Sequence, residues 1–146
     1  MMVAPSQREP RNGVSVVLRD RRILNSRLLE VLTRAGHTDA IVIADSGLPI
    51  PRNVELVDLS VCCGLPSMLD VLACVRVALV IESAAVAHEM REQPVYEQFI
   101  AEMNGTPTEE LSHEEFKRRT TSALAIVRTG ECTPYANVLL IAGVSF

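Results

Sequence analysis

Residues Arg34 to Pro51 read R-A-G-H-T-D-A-I-V-I-A-D-S-G-L-P-I-P, and a helix end, a buried strand and a turn follow one another within them. Gly36 suits a left-handed helix cap, Ile41 to Ala44 form a continuous apolar run of the kind covered on both faces, and Asp45-Ser46-Gly47 followed by Pro49 and Pro51 is a turn. His37 and Asp45 therefore stand at opposite ends of one strand. A strand rises about 3.3 Å per residue, so a single reacting atom sits beside only one of them. The second group must come from a different part of the fold.

Before this stretch, Asn25 or Ser26 is a natural N-cap, and Leu28, Leu29, Leu32 and Ala35 fall on one helical face. Met1 to Gly13 has no apolar periodicity; residues 1–20 are expected to be a flexible extension and residues 21–146 a single domain. After it, Val54 to Leu59 alternates imperfectly, and Pro66 opens a helix from Ser67 to Cys74. Val77 to Ile81 resembles a strand, whereas Ser83 to Met90 suits a helix by propensity. Pro94 to Met103 has helical spacing and stops at Asn104-Gly105-Thr106-Pro107. Ser112-His113-Glu114-Glu115 reads as a reciprocal capping box, and Leu124 to Arg128 and Val138 to Ala142 are strands separated by a loop from Thr129 to Pro134. Helices alternating with short apolar strands predict a layered α/β domain.

Composition narrows the function. Of the 146 residues 48% are hydrophobic and only 3% aromatic, so the core is aliphatic. The formal charge is −4 and the basic residues are scattered, which argues against a nucleic-acid partner. No stretch has the roughly 18 consecutive apolar residues that span a bilayer, and the first twenty residues lack a signal-peptide apolar region. A soluble, cytoplasmic protein without a membrane partner is expected. The four cysteines lack metal-ligand spacing and are expected to be buried small hydrophobes, with no metal bound. Neither a dinucleotide fingerprint, a P-loop nor a G-x-S-x-G elbow is present.

Polar residues at the ends of strands and helices are the remaining candidates. His37 leads the set, because an imidazole, with a reference pKa of about 6.5, suits proton transfer in both directions near neutrality; a histidine here is also a residue that caps a helix. Asp45 is a candidate ligand or simply the first residue of a turn. His113 and Lys117, one helical turn apart, face one pocket or solvent. Tyr135 and Asn137, two apart, point to one side of a strand or belong to an ordered turn.

Together the segments R-A-G-H-T-D-A-I-V-I-A-D-S-G-L-P-I-P, G-L-P-S-M, S-H-E-E-F-K and V-R-T-G-E-C-T-P-Y-A-N-V-L-L-I-A-G-V-S-F closely resemble the D-ribose pyranase family, in its order, from about Arg22 to Phe146. L-fucose mutarotases share the architecture and the early histidine, but the G-L-P-I-P turn and the G-E-C-T-P-Y-A-N run resemble the ribose branch. The resemblance implies a three-layer α/β/α domain with a mixed sheet and some strand character within Val77 to Met90. It also implies a homo-oligomer, a decamer of pentameric rings, with each site completed by a neighbouring subunit. Residue by residue, His37 matches the catalytic histidine, Asp45 and His113 match sugar-binding positions, Tyr135-Ala136-Asn137 matches the sugar-binding segment, and Lys117 fits the same helix as His113. Residues 1–20 have no counterpart, the segment before His113 is shorter, and Val54 to Cys63 is less similar.

The implied activity is interconversion of the β-pyranose and β-furanose forms of D-ribose. Ring opening protonates the ring oxygen while the anomeric hydroxyl loses a proton, and closure uses another hydroxyl. His37 serves as acid and base, Asp45 orients a hydroxyl or His37, and no cofactor is required because no redox or carbanion step occurs. The alternatives are an L-fucose-type mutarotase and a sugar-binding subunit without turnover.

Overall fold

Asn25 caps the first helix, α1 (Ser26–Arg34), by accepting the Leu28 N–H at 2.9 Å. The computed structural model describes residues 23–145, so the expected N-terminal extension lies outside them. Beyond α1 follow β1 (Ala40–Ala44), β2 (Glu55–Asp58), α2 (Met68–Ala78), β3 (Ile81–Ala87), a 3₁₀ turn (His88–Glu92), α3 (Tyr96–Met103), β4 (Thr108–Leu111), α4 (His113–Thr120), β5 (Ala125–Arg128) and β6 (Val138–Ala142).

The strands form one mixed sheet in the order β2-β5-β1-β6-β3-β4. β2, β5 and β1 are parallel, β3 and β4 are parallel, and β6 runs antiparallel to both of its neighbours. Thus every described strand except β6 points the same way. Alternation along the strands divides the core between two faces. Ile41 and Ile43 join Val31, Leu72, Val75 and Phe99 on the face covered by α1, α2 and α3, while Val42 and Ala44 meet Leu48, Val54 and Phe116 on the other. The three-layer α/β/α arrangement follows.

Phe116 is fully buried and is the large side chain with which α4 fills the smaller core. Phe116→Ala is expected to destabilise the fold by about 3–5 kcal/mol. Urea unfolding measures it; a loss below about 1 kcal/mol would contradict this packing.

Several local expectations are corrected. Gly36 is not left-handed: α1 ends with Ala35 extended, the Asp39 carboxylate accepts the Gly36 N–H at 2.8 Å, and the positive φ falls on Thr38, at 75°. The local carboxylate supplies the acceptor that a glycine cap would otherwise make unnecessary. Helix α2 runs past Cys74 to Ala78, held by a complete capping box between Ser67 and Asp70 and by burial of Val71, Leu72 and Val75. Val77 is consequently on its exposed side rather than in a strand.

Residues 83–87, which suit a helix by propensity while the family resemblance implies strand character in this region, are strand. β3 lies between β6 and β4, and Ala84, Ala85, Val86 and Ala87 are all buried on its two faces. Tertiary placement overrides a weak local preference. Strand β4, T-E-E-L, had no apolar signal; as the sheet edge it carries Glu110 paired with Arg91 at 2.6 Å and Glu109 paired with Arg119 at 3.1 Å. The box at α4 is only half made: Ser112 Oγ accepts the Glu115 N–H, but the Glu115 carboxylate pairs with Arg118 and Arg119.

The cysteines are not core hydrophobes. Cys62 is exposed, Cys74 is half-buried, and Cys63 and Cys132 are exposed and joined by a disulfide between residues 69 apart. A small hairpin brings them together, with an isolated Cys62–Leu65 bridge packed on Gly130. The Gly64 N–H donates to the Gly130 carbonyl at 2.6 Å and the Gly130 N–H to the Pro66 carbonyl at 2.8 Å. A Cβ at position 130 would overlap the carbonyl oxygens of Cys62 and Leu65.

Candidate active site

Because β6 runs against the other strands, its first residues and the last residues of β1 and β5 lie at the same end of the sheet, an edge that runs across the strand tips. Asp45 leaves β1 at that edge and Asn137 enters β6 beside it. The Asp45 N–H donates to Asn137 Oδ1 at 2.7 Å, and Asn137 Nδ2 donates to Asp45 Oδ2 at 3.1 Å. Both residues are buried, and the Gly47 N–H adds a bond to Asp45 Oδ1 at 3.0 Å. The carboxylate is thereby fixed before any ligand arrives.

Burial pushes the Asp45 carboxyl above its ordinary value of 3.8, against the opposing pull of the Gly47 N–H, the Asn137 amide, the Leu48 N–H and the nearby His113. Between 3.8 and the folded value the native state binds more protons than the unfolded chain, so stability falls as pH rises through that window. Urea unfolding from about pH 4 to about pH 8 should show wild type losing stability relative to Asp45→Asn, with a constant difference above the window. A difference independent of pH throughout would contradict the assignment.

His113 is the first residue of α4, just beyond β4, and therefore reaches the same edge. Its ring meets Tyr135 edge to face, with centroids 5.0 Å apart. His113 Nδ1 is shut off from solvent without a partner among the described residues. Tyr135 holds a φ of 63°, a costly conformation for a side-chain-bearing residue that turns the chain from the 129–134 loop into β6. Asp45, His113, Tyr135 and Asn137 line one cavity of about 310 Å³, a size that suits a small ligand.

The other expected site residues lie elsewhere in the chain. Ala136 is fully buried in the core and does not line the cavity, and Lys117 bonds Glu114 at 2.9 Å outside it. His37 stands at the opposite sheet edge, half exposed, with Nε2 3.3 Å from Glu82. The five residues of β1 alone separate the two edges by roughly 13 Å. The cavity and His37 of one chain do not meet.

The cavity also recruits Ser46, Glu131 and Cys132, which sequence reasoning passed over. Glu131 ties the walls together: its carboxylate accepts the Met68 N–H at the start of α2 at 3.0 Å, and its carbonyl accepts the Ser46 N–H at 2.8 Å. Its place within G-E-C-T-P-Y-A-N was the available signal. No cluster of metal-ligating side chains occurs among the described residues.

The chain is 46% identical over 126 residues to a D-ribose pyranase of Coprothermobacter proteolyticus, covering 85% of this chain and 96% of that one. It is 50% identical over 125 residues to a D-ribose pyranase of Shouchella clausii, with the same coverage. Among solved structures, Bacillus subtilis RbsD complexed with D-ribose superposes with a TM-score of 0.81 at 45% identity, over 85% of this chain and 96% of that one. The fucose mutarotase of Streptococcus pneumoniae in complex with L-fucose gives 0.69 at 28% identity, over 86% and 96%. The model of the RbsD / FucU transport protein family matches residues 19–145, and the chain belongs to that family.

Proposed function

We propose that the protein is a D-ribose pyranase, an isomerase that interconverts the β-pyranose and β-furanose forms of free D-ribose. The observation that carries this reading is the convergence of Asp45, His113, Tyr135 and Asn137 on one cavity, in a chain 45% identical to a protein whose structure contains D-ribose. Asp45 accepts from sugar hydroxyls, while the His113 ring, the Tyr135 hydroxyl and the Y-A-N backbone around Ala136 fix the remaining ones.

Proton transfer is assigned to His37 of a neighbouring copy. It protonates the ring oxygen as the anomeric hydroxyl loses its proton, and the open aldehyde closes through another hydroxyl. In this reading a homo-oligomer, a decamer of pentameric rings, brings one sheet edge of each subunit to the opposite edge of the next. Lys117 is available to the sugar only by leaving Glu114, and it has a supporting part at most. The reaction is placed in the cytoplasm and needs no cofactor.

Magnetisation exchange between the anomeric proton signals of D-ribose, with and without protein and repeated with L-fucose, tests this reading. Faster pyranose–furanose exchange in ribose is expected. Acceleration with fucose alone would move the protein to the sister activity, and binding of ribose without acceleration would leave a sugar-binding subunit.

A further inference from the structure

We propose that Cys63 and Cys132 form a thiol–disulfide site whose oxidation by a small-molecule disulfide tightens the sugar cavity. This rests on the ribose reading only for its ligand. Cys132 lines the cavity, three residues before Tyr135, with its Sγ 3.7 Å from the Ser46 hydroxyl. Cys63 lies outside the cavity on the Cys62–Leu65 hairpin, with its Cα 5.7 Å from that of Cys132, a separation a disulfide spans without moving the backbone.

The bond anchors a segment whose position matters. From Gly130 the chain passes through Glu131 and Cys132 to Tyr135, whose left-handed backbone sets the ring against His113. Apart from the disulfide, the hairpin holds this segment through the two backbone bonds at Gly130. Glu131 also bonds this segment to Met68 and Ser46, so oxidation adds a further restraint at Cys132 to the wall that carries Tyr135, and reduction removes that restraint.

Both cysteines are exposed, so small thiols and disulfides reach them, and the neighbouring free Cys62 is exposed as well. In the oxidising direction one cysteine thiolate attacks the small-molecule disulfide and displaces one thiolate. The other cysteine then attacks the protein-bound sulfur and releases the second. Two protein thiols lose their protons and two electrons, and the reagent becomes two thiols. A small dithiol reverses both steps.

The test uses the full chain, reduced with a dithiol or oxidised with a small-molecule disulfide. Oxidation should lower the free thiols from four to two and yield a cross-linked pair of peptides containing Cys63 and Cys132. Oxidised protein should bind ribose about three- to tenfold more tightly, through the restrained wall. Its amides at Thr133 and at Tyr135, Ala136 and Asn137 should exchange more slowly than in reduced protein. Cys63→Ser should behave like reduced protein under both conditions. Absence of the cross-link, or equal amide exchange in the two states, would overturn the proposal. A redox difference in amide exchange in a protein that ignores ribose would uphold the thiol site and remove the ribose reading instead.

Discussion

His37→Ala should lower the protein-catalysed pyranose–furanose exchange of D-ribose by about 10²–10⁴-fold, the range associated with general acid–base assistance. Folding and oligomeric state should remain intact. The side chain is half exposed, and its partner is Glu82 at 3.3 Å, a surface contact of small value. Its removal opens no core cavity. In the proposed site the sugar hydroxyls are held at the other sheet edge, so ribose affinity should change little while turnover collapses. Exchange spectroscopy and ribose titration on the same sample separate the two effects; unchanged exchange would remove His37 from the reaction.

Asn137→Ala has the opposite signature, harming both stability and binding. Asn137 is 1% exposed and satisfies both the backbone N–H and a carboxylate oxygen of Asp45. Truncation leaves both groups without this partner, at a cost of about 1–3 kcal/mol. It also removes one of the bonds that favour ionised Asp45, so the carboxyl moves further upward. The released carboxylate no longer faces the cavity in a fixed direction, and ribose affinity should fall by at least about tenfold. Urea unfolding and ribose titration measure the two losses. A stability loss below about 0.5 kcal/mol would show that the pair is not the buried keystone described.

The elements legible in the sequence were those with strong local signals. Asn25 and Ser112 announced helix starts by capping chemistry, and Ile41 to Ala44 announced a doubly covered strand by its unbroken apolar run. Residues 83–87 were opaque to local reading because three helix-favouring alanines, Ala84, Ala85 and Ala87, owe their conformation to β6 and β4, which are distant in sequence. β4 was missed because an edge strand bearing glutamates has no apolar alternation to read.

The site divides along the same line. Asp45 and Asn137 are 92 residues apart, and their mutual bonds depend on the reversed direction of β6, which no local pattern encodes. Residue types and family resemblance named both of them. They could not reveal the Cys63–Cys132 pairing, since neither cysteine has a spacing partner and the hairpin that joins them is built on Gly130. The separation of His37 from Asp45, by contrast, followed directly from placing both at the ends of one strand.

That separation makes subunit complementation the most direct test of the proposed shared site. His37→Ala and Asp45→Asn chains, carrying different tags, would be co-expressed and purified as a mixed assembly. Where each site takes its cavity from one copy and His37 from the next, random mixing restores about a quarter of the sites to wild-type composition. Ribose exchange should then rise well above that of either parent assembly. A mixed assembly no more active than its parents would contradict the account, because no working site would then combine the cavity of one copy with His37 of the next.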